Sequence, residues 1–406
     1  MLICAGALIE SSGQIHRPGH LRMDREIITQ IGTSLNSQVG EEVLHLPDLT
    51  LAPGWINLHA HLELASLFRE LMPGKDFPFW LKQVLARLPG LNSETRRESI
   101  QRSAQDALRT GTTSIVSITS DLHAMAGLSS TAARVWWALE FMDIQSQPEV
   151  SATVERAMAW LSRNPANPWH LALSPHAPYT ASPKLYQEIL TSCSIHKIPF
   201  TTHLAESPEE TSLLAGNETS FRDILPKEPP RTDFGKSQSP VAWCQTNQTL
   251  PEDAILAHGN ELQPSDLPYL KERKVTLVHC PTSHEWFGRK SFPFQLLQNN
   301  GIPVSLGTDS PASSPNLPLD LRQEVRLFRQ KYSHVSPHEA WQMITTIPAR
   351  ALGCESNLGN LQDGCWADWV GWRVPLDQDP YSAILESQDP AELTCVAGKI
   401  TRHEKI

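Results

Sequence analysis

No two cysteines in this chain stand as Cys-x-x-Cys. The seven present, at 4, 193, 244, 280, 354, 365 and 395, are odd in number and widely scattered. That pattern argues against a disulfide framework and points to reduced thiols in a cytoplasmic protein. Blocks of like charge are also missing. The formal net charge of −10 is spread along the chain, which argues against nucleic acid or an anionic membrane as the main partner. No apolar run approaches the length needed to span a bilayer. The start, Met1 to Glu10, is apolar but lacks a basic n-region and reaches Glu10 too soon for a signal peptide. It reads as a first strand. Internal repeats and low-complexity tracts are absent. What remains is an ordinary globular composition, 40% hydrophobic, over 406 residues, far more than one small core needs.

The texture divides the chain in three. Residues 1–50 alternate short apolar strands with Gly-, Ser- and Asn-bearing turns, as in 27–32 and 42–46. From 51 to 350, short apolar runs alternate with longer helical patterns. Strands are expected at 56–61, 112–118, 135–141, 170–173, 198–203, 254–258, 275–280 and 302–308. Helices are expected at 94–110, 151–162, 184–196, 208–215, 264–272 and 317–330. Eight such units fit an α/β protein of the (β/α)8 barrel type, roughly 250–300 residues long, although a doubly wound sheet alternates in the same way. The polar, Pro-rich stretch 220–250 reads as a long loop after the fifth strand. After 350, Gly turns and strands return, so 1–50 and 351–406 are expected to form one small β-sandwich module built from both chain ends.

In barrel enzymes the site lies at the C-terminal ends of the strands. The stretch 53–64, Pro-Gly-Trp-Ile-Asn-Leu-His-Ala-His-Leu-Glu-Leu, turns at Pro53-Gly54 and ends its apolar run in His59 and His61. In a strand, residues i and i+2 share a face, so both imidazoles can aim at one point, and imidazole suits zinc, iron, nickel or copper. The fifth strand ends in His203, the sixth in His258, the seventh in His279 and the eighth in Asp309. A single strand-end histidine is more often a hydrogen-bonded structural residue than a ligand. Five strands ending in such residues form a pattern that chance does not readily supply.

Six segments carry a resemblance: PGWINLHAHLEL (53–64), SPHAPYTAS (174–182), THLAES (202–207), LAHG (256–259), HCPTSH (279–284) and GTDSPAS (307–313). On these the chain resembles the amidohydrolase superfamily, in its deaminase and chlorohydrolase branch. The resemblance implies one divalent metal held by His59, His61, His203 and Asp309, with zinc the first choice and Fe2+ or Ni2+ the alternatives. It also implies Glu206 and His258 as the remaining catalytic groups and His176 as a substrate contact. Binuclear members bridge two metals with a modified lysine at the end of strand four. This chain has Ser174-Pro175-His176 there, which favours one metal. Many relatives carry an arginine where this chain has Thr282, and that departure weakens any expectation of an anionic substrate group bound there.

The chemistry of these residues is consistent with that. Three neutral imidazoles and one carboxylate leave a divalent ion with a net charge of about +1, which lowers the pKa of bound water toward ~7. Asp309 can take the water's proton. Glu206, three residues past His203, can protonate a ring nitrogen and then the leaving ammonia. Alternatively, Glu206 is a carboxylate favoured by the dipole of the helix that starts near Ser207-Pro208. His258 either contacts the tetrahedral centre or is a structural strand-end residue. Trp80, in Phe-Pro-Phe-Trp-Leu (77–81), either stacks on a planar substrate as part of a lid or packs a helix start. The roles of Glu140, His279 and His284 stay open.

The expected function is hydrolytic deamination of an exocyclic amine on a nitrogen heterocycle, purine- or nucleoside-like, with a small molecule as the partner. Dechlorination of a similar ring is the nearest alternative. A non-catalytic scaffold of the same fold would be expected to have lost ligands, and none is missing. A nucleic-acid deaminase is opposed by the acidic charge. Membrane association is not expected, and a homo-oligomer is left open.

Overall fold

The structure, a computed structural model, describes residues 1–72, 76–144, 146–225, 233–315, 319–375 and 377–403. The Pro-rich run 227–231 and the start of the helix expected at 317–330 lie outside the described residues. No helix is long and apolar enough to cross a membrane among the described residues.

The N-terminal strands are β1 (Leu2–Ile9), β2 (Ile15–His16), β3 (Gly19–Asp24), β4 (Ile27–Gly32) and β5 (Val43–Pro53). After Gly54 come eight more: β6 (Trp55–Ala60), β7 (Thr112–Thr119), β8 (Arg134–Phe141), β9 (Trp169–Pro175), β10 (Thr201–Leu204), β11 (Ile255–His258), β12 (Thr276–His279) and β13 (Val304–Leu306). β14 (Trp369–Trp372), β15 (Leu393–Val396) and β16 (Lys399–Arg402) close the chain.

β6 to β9 form one parallel four-stranded sheet in sequence order, and β10 to β13 form another. Parallel bridges Leu173↔Phe200 and Ala60↔Asp309 join the two sheets at both edges. The architecture is an α/β fold of the TIM-barrel class. Its strands are buried on both faces, which is why they read as continuous apolar runs. Ile56, Leu58, Val116, Ile118, Trp136 and Ala138 enter one core cluster. Ile115, Val135, Trp137 and Leu139 enter another, so successive residues serve opposite faces.

Strands from the two chain ends share one sheet, in the order β16-β15-β14-β5-β1-β3-β4 with β2 on β1. A common core of Ile3, Leu8, Leu21, Leu51, Trp369 and Cys395 underlies it. Apolar packing of Ala52, Val370 and Trp372 with Trp55 joins it to the eight parallel strands, and an ion pair adds to that contact. Arg134 at the start of β8 grips Asp368 through two bonds, Nε to Oδ2 at 2.7 Å and Nη2 to Oδ1 at 3.0 Å. Both side chains are almost fully buried, and the Arg134 guanidinium lies 4.0 Å from the Trp366 ring centre. Removing one partner strands the other charge in the interior. Arg134→Met is therefore expected to lower stability by about 3–5 kcal/mol in urea unfolding. A loss below about 1 kcal/mol would show that the pair does not hold the two parts together.

The stretch 220–250 is not all loop. Residues Pro240–Asn247 form a helix, with Pro240 in its first turn and the Ser239 hydroxyl accepting from the Ala242 amide. Eight residues are too few to show helical periodicity in the sequence. A second helix not expected from periodicity, α1 (Phe77–Arg87), is capped by Asp76 and has Pro78 in its first turn. It covers the mouth of the site.

Candidate functional site

Each chemistry-bearing side chain is placed by a strand end. Asn57 ties the first and last of the eight strands together: its amide donates to Thr308 Oγ1 at 2.7 Å and its carbonyl accepts from the Thr308 amide at 3.2 Å. Gly307 is needed at the same junction. A Cβ there would lie 3.0 Å from the His59 carbonyl oxygen and 2.9 Å from Val278 Cγ1. His258 (φ 76°), Asp309 (φ 56°) and Ala205 (φ 53°) hold left-handed backbone conformations without being glycine. Such strain costs of order 1 kcal/mol or more each and clusters at functional sites.

The structure brings His59, His61, His203, His258 and Asp309 together. His59 Nε2 and His61 Nε2 lie 3.5 and 3.6 Å from the same oxygen, Asp309 Oδ1. His203 Nε2 lies 3.3 Å from His61 Nε2. Ligating atoms of His59, His61 and Asp309 fall within 4.8 Å of one another, as do those of His59, His203 and His258. The His176 carbonyl, which only accepts, lies 2.9 Å from His203 Nδ1. That assigns the proton to Nδ1 and leaves the Nε2 lone pair facing the cluster. Among the described residues neither ring nitrogen of His59 has a hydrogen-bond partner, although the residue is fully buried.

Burial pushes His61 down to about 3, helped by His59, and His258 likewise to about 3. Burial and neighbouring histidines hold His203 well below its ordinary value. These imidazoles are neutral. Burial pushes the Asp309 carboxyl up, but contact with His59 and the nearby His258 and His61 hold it well below the usual range. Neutral imidazole nitrogens and a carboxylate oxygen converging without a proton between them form a donor set that fits a divalent cation.

Asp309 is oriented from behind. The Ser283 hydroxyl donates to Oδ2 at 2.6 Å and the Ser313 hydroxyl at 3.0 Å, leaving Oδ1 for the histidines. Both serines lie inside the quoted motifs, but nothing in the sequence marked their function. Ser283→Ala is expected to weaken binding of a divalent ion by roughly 10–100-fold, read by metal titration. Unchanged affinity would assign the hydroxyl a packing role.

Glu206 does not cap the following helix. Ser207 does, accepting from the Glu210 amide at 3.1 Å, while the Glu210 carboxylate takes the amides of Ala205 and Glu206. Glu206 Oε1 instead lies 3.8 Å from His258 Nε2. Burial, then Asp309, raise its carboxyl well above the ordinary value. His284 Nδ1 contacts Asn260 Oδ1 at 2.9 Å, and the Asn260 amide donates to the Glu206 carbonyl, so His284 braces that loop. His279 stacks on Phe292 with ring centres 3.9 Å apart and packs the wall.

A cavity opens over the cluster, lined by His61, His176, His203, Glu206, His258 and Asp309. Thr180 Oγ1 donates to the Ala177 carbonyl and lies 2.5 Å from His176 Nδ1, so His176 keeps Nε2 as a free acceptor. Trp80 lines the cavity and donates its indole N–H to the Ala312 carbonyl at 3.1 Å. It thereby ties α1 to the loop after Asp309. Glu63, Glu140 and Tyr179 also line the cavity. Of these only Glu140 stood out in the sequence. Burial, then Glu63, push its carboxyl up to about 8.

The 5-methylthioadenosine/S-adenosylhomocysteine deaminase of Thermococcus onnurineus is 26% identical to this chain, over 84% of this chain and 78% of its own length. The aminofutalosine deaminase of Helicobacter pylori, solved with methylthio-coformycin, superposes with a TM-score of 0.84 at 21% identity, covering 98% of this chain and 99% of that one. An adenosine deaminase from Xanthomonas campestris with bound zinc superposes at 0.81 and 20% identity, covering 100% of this chain and 94% of that one. These two likenesses bear on the fold. The match to the Amidohydrolase family runs over residues 50–401. The chain belongs to the Amidohydrolase family and is a hydrolase of carbon–nitrogen bonds other than peptide bonds.

Proposed function

We propose that the site deaminates a nitrogen heterocycle of purine or nucleoside type, replacing its exocyclic amine by oxygen: ring–NH2 plus water gives ring=O plus ammonia. The observation that carries this reading is the convergence of His59, His61 and His203 on Asp309, with the raised carboxyl of Glu206 beside His258 in the same cavity. His59, His61, His203 and Asp309 would hold one divalent ion, with zinc the first choice and Fe2+ or Ni2+ the alternatives. When bound, such an ion supplies water acidified toward ~pH 7. Asp309 takes the proton from the attacking water. Glu206 holds its proton in the buried cavity and delivers it to a ring nitrogen; as a carboxylate it then takes the remaining proton of the added hydroxyl and passes it to the departing amine, which leaves as ammonia, and the proton held by Asp309 restores Glu206. His258 hydrogen-bonds the centre under attack. His176 offers Nε2 to the substrate edge, and Trp80 closes the apolar wall.

Displacement of chloride from a similar ring needs the same water but no proton for the leaving group, so Glu206 favours deamination. A screen of adenine nucleosides and related amines for released ammonia tests this in metal-loaded protein. Chloride release with no ammonia from any amine would turn the reading to the alternative.

The finer architecture belongs to the same reading. Residues 51–350 form a closed (β/α)8 barrel, supported by the bridges at both sheet edges. Residues 1–50 and 351–406 form one β-sandwich module. In support, the Ile28 and Glu26 backbone bonds residues 364–367, and the Ala367 carbonyl accepts from the Gly398 amide at 3.2 Å, which folds the sheet back on itself. Seven free cysteines support a reducing, cytoplasmic setting. The net charge of −10 supports a small-molecule partner over nucleic acid.

A further inference from the structure

Arg289 is a buried cation near the proton donor that has no part in the chemistry above. Its side chain is 6% exposed. It lies just past the segment in which Ser283 orients Asp309 and His284 braces the Glu206 loop, and its own amide donates to the His284 carbonyl at 3.1 Å. The guanidinium lies over the Phe77 ring, 5.5 Å from its centre, and over the Phe287 ring at 5.0 Å. Phe77 opens the lid helix α1, and Phe287 packs edge-on against both Phe77 and Trp80, with ring centres 5.4 and 5.3 Å apart. Arg289 Nη1 also lies 3.8 Å from Glu209 Oε2, in the first turn of the 208–214 helix that follows Glu206. One guanidinium thus meets both the lid and the element that follows the proton donor.

Among the described residues Arg289 Nε and Nη2 and Glu209 Oε2 have no hydrogen-bond partner. At 3.8 Å the ion pair is a Coulomb contact and not a hydrogen bond. Ring faces and nearby carboxylates therefore hold this charge away from water. Burial pushes the carboxyls of Glu206, Glu210 and Glu261 up, and Arg289 draws all three down.

We propose that Arg289 is a positioning residue that latches the lid helix α1 to the Glu206 loop, so that the mouth closes over a bound ring with the proton donor in place. The latch rests on the deaminase reading above for the role of Glu206 and adds a residue to it. α1 buries Phe77, Trp80 and Val84 but leaves Phe79 and Leu85 exposed, so its hold on the body is confined to one face. An element held on one face opens locally well before the whole protein unfolds. A ring that binds only under a closed lid then binds in proportion to the closed fraction.

The test is limited trypsin digestion of metal-loaded, full-length wild type, Arg289→Met, Arg289→Lys and Glu209→Gln, beside the kinetics of ammonia release from adenosine. Lys82 and Arg87 lie on α1 and Lys184 on the helix Pro183–His196, so cleavage after each reads the opening of its own helix. Arg289→Met and Glu209→Gln are each expected to speed cleavage in α1 by at least about tenfold, with cleavage after Lys184 unchanged and the metal retained. Lysine keeps the charge, so Arg289→Lys is expected to restore part of the protection. In the same variants kcat/KM is expected to fall by roughly tenfold, mostly through KM. Glu209→Gln carries the test if Arg289→Met does not fold. Unchanged α1 cleavage, or a rise shared equally by Lys184, overturns the latch whatever the protein turns over. Faster α1 cleavage in Arg289→Met but not in Glu209→Gln overturns the tie to the Glu206 loop. Faster cleavage with kcat/KM unchanged overturns closure over the ring. Faster α1 cleavage in both variants, with no ammonia released by wild type, keeps the latch and overturns deamination of adenosine.

Discussion

The His61→Ala, Asp309→Ala double variant is expected to retain almost no divalent metal and to lose at least roughly 10³–10⁴-fold in turnover. The size follows from what the pair does together. Their Nε2 and Oδ1 atoms lie 3.6 Å apart, and Asp309 Oδ1 also faces His59. Deleting both leaves imidazole nitrogens of His59, His203 and His258 but no carboxylate to offset the ion's charge, and one of the two histidines that face Asp309 is gone. Asp309 would also hold the proton of the attacking water, so its removal costs twice in one mechanism, and effects of residues that act as a unit do not add. Elemental analysis of protein purified without chelator reads the first effect, and ammonia release the second. Full metal occupancy in the double variant would sink the ligand assignment. Burial holds the His61 imidazole well down, so its removal takes away a neutral group, and removal of the Asp309 carboxylate takes away a buried charge that leaves no buried cation unpaired among the described residues.

Glu206→Gln is expected to keep its metal and its melting temperature while turnover falls by roughly 10²–10⁴-fold. Glutamine preserves shape and can still hydrogen-bond, but it cannot donate and then recover a proton. The stability half of this expectation comes from the local structure. Capping of the 208–214 helix belongs to Ser207 and Glu210, so the Glu206 carboxyl is not needed for it. A capping role would have shown as a loss of about 0.5–2 kcal/mol with the rate almost unchanged. The carboxyl is raised because it is buried, and then because Asp309 lies close, so it stays protonated at pH values where an exposed glutamate is ionised. Near-wild-type turnover in metal-loaded Glu206→Gln would remove Glu206 from the proton path. It would also strengthen displacement of a leaving group that needs no proton.

Much of this site could be read from one line of sequence because the fold repeats a simple rule. A parallel strand buried on both faces must be apolar until it emerges, so a histidine or aspartate at its end is conspicuous. His59, His61, His203, His258 and Asp309 all stood out in that way, and the six quoted segments told one family's pattern from many other alternating α/β chains. Short helices were only partly legible: Pro208–Leu214 and Leu267–Glu272 fall where helices are expected, but two others do not. Pro240–Asn247 and the lid helix Phe77–Arg87 are set by Ser239 and Asp76 caps followed by proline, and these signals are weaker than periodicity over a long window.

The sequence by itself determined the order of the eight parallel strands, the return of β texture at the end, and which histidines and carboxylates stand at strand ends as candidate ligands. Closure of the fold decided the rest. Arg134 meets Asp368 across 234 residues, and Asn57 meets Thr308 across 251. Ser283 reaches Asp309 from a different strand end. Whether Glu206 capped a helix or faced the cavity depended on whether Ser207 and Glu210 took the amides first. Hydrogen bonding and desolvation act over a few ångströms, and only the folded chain brings distant residues to such distances.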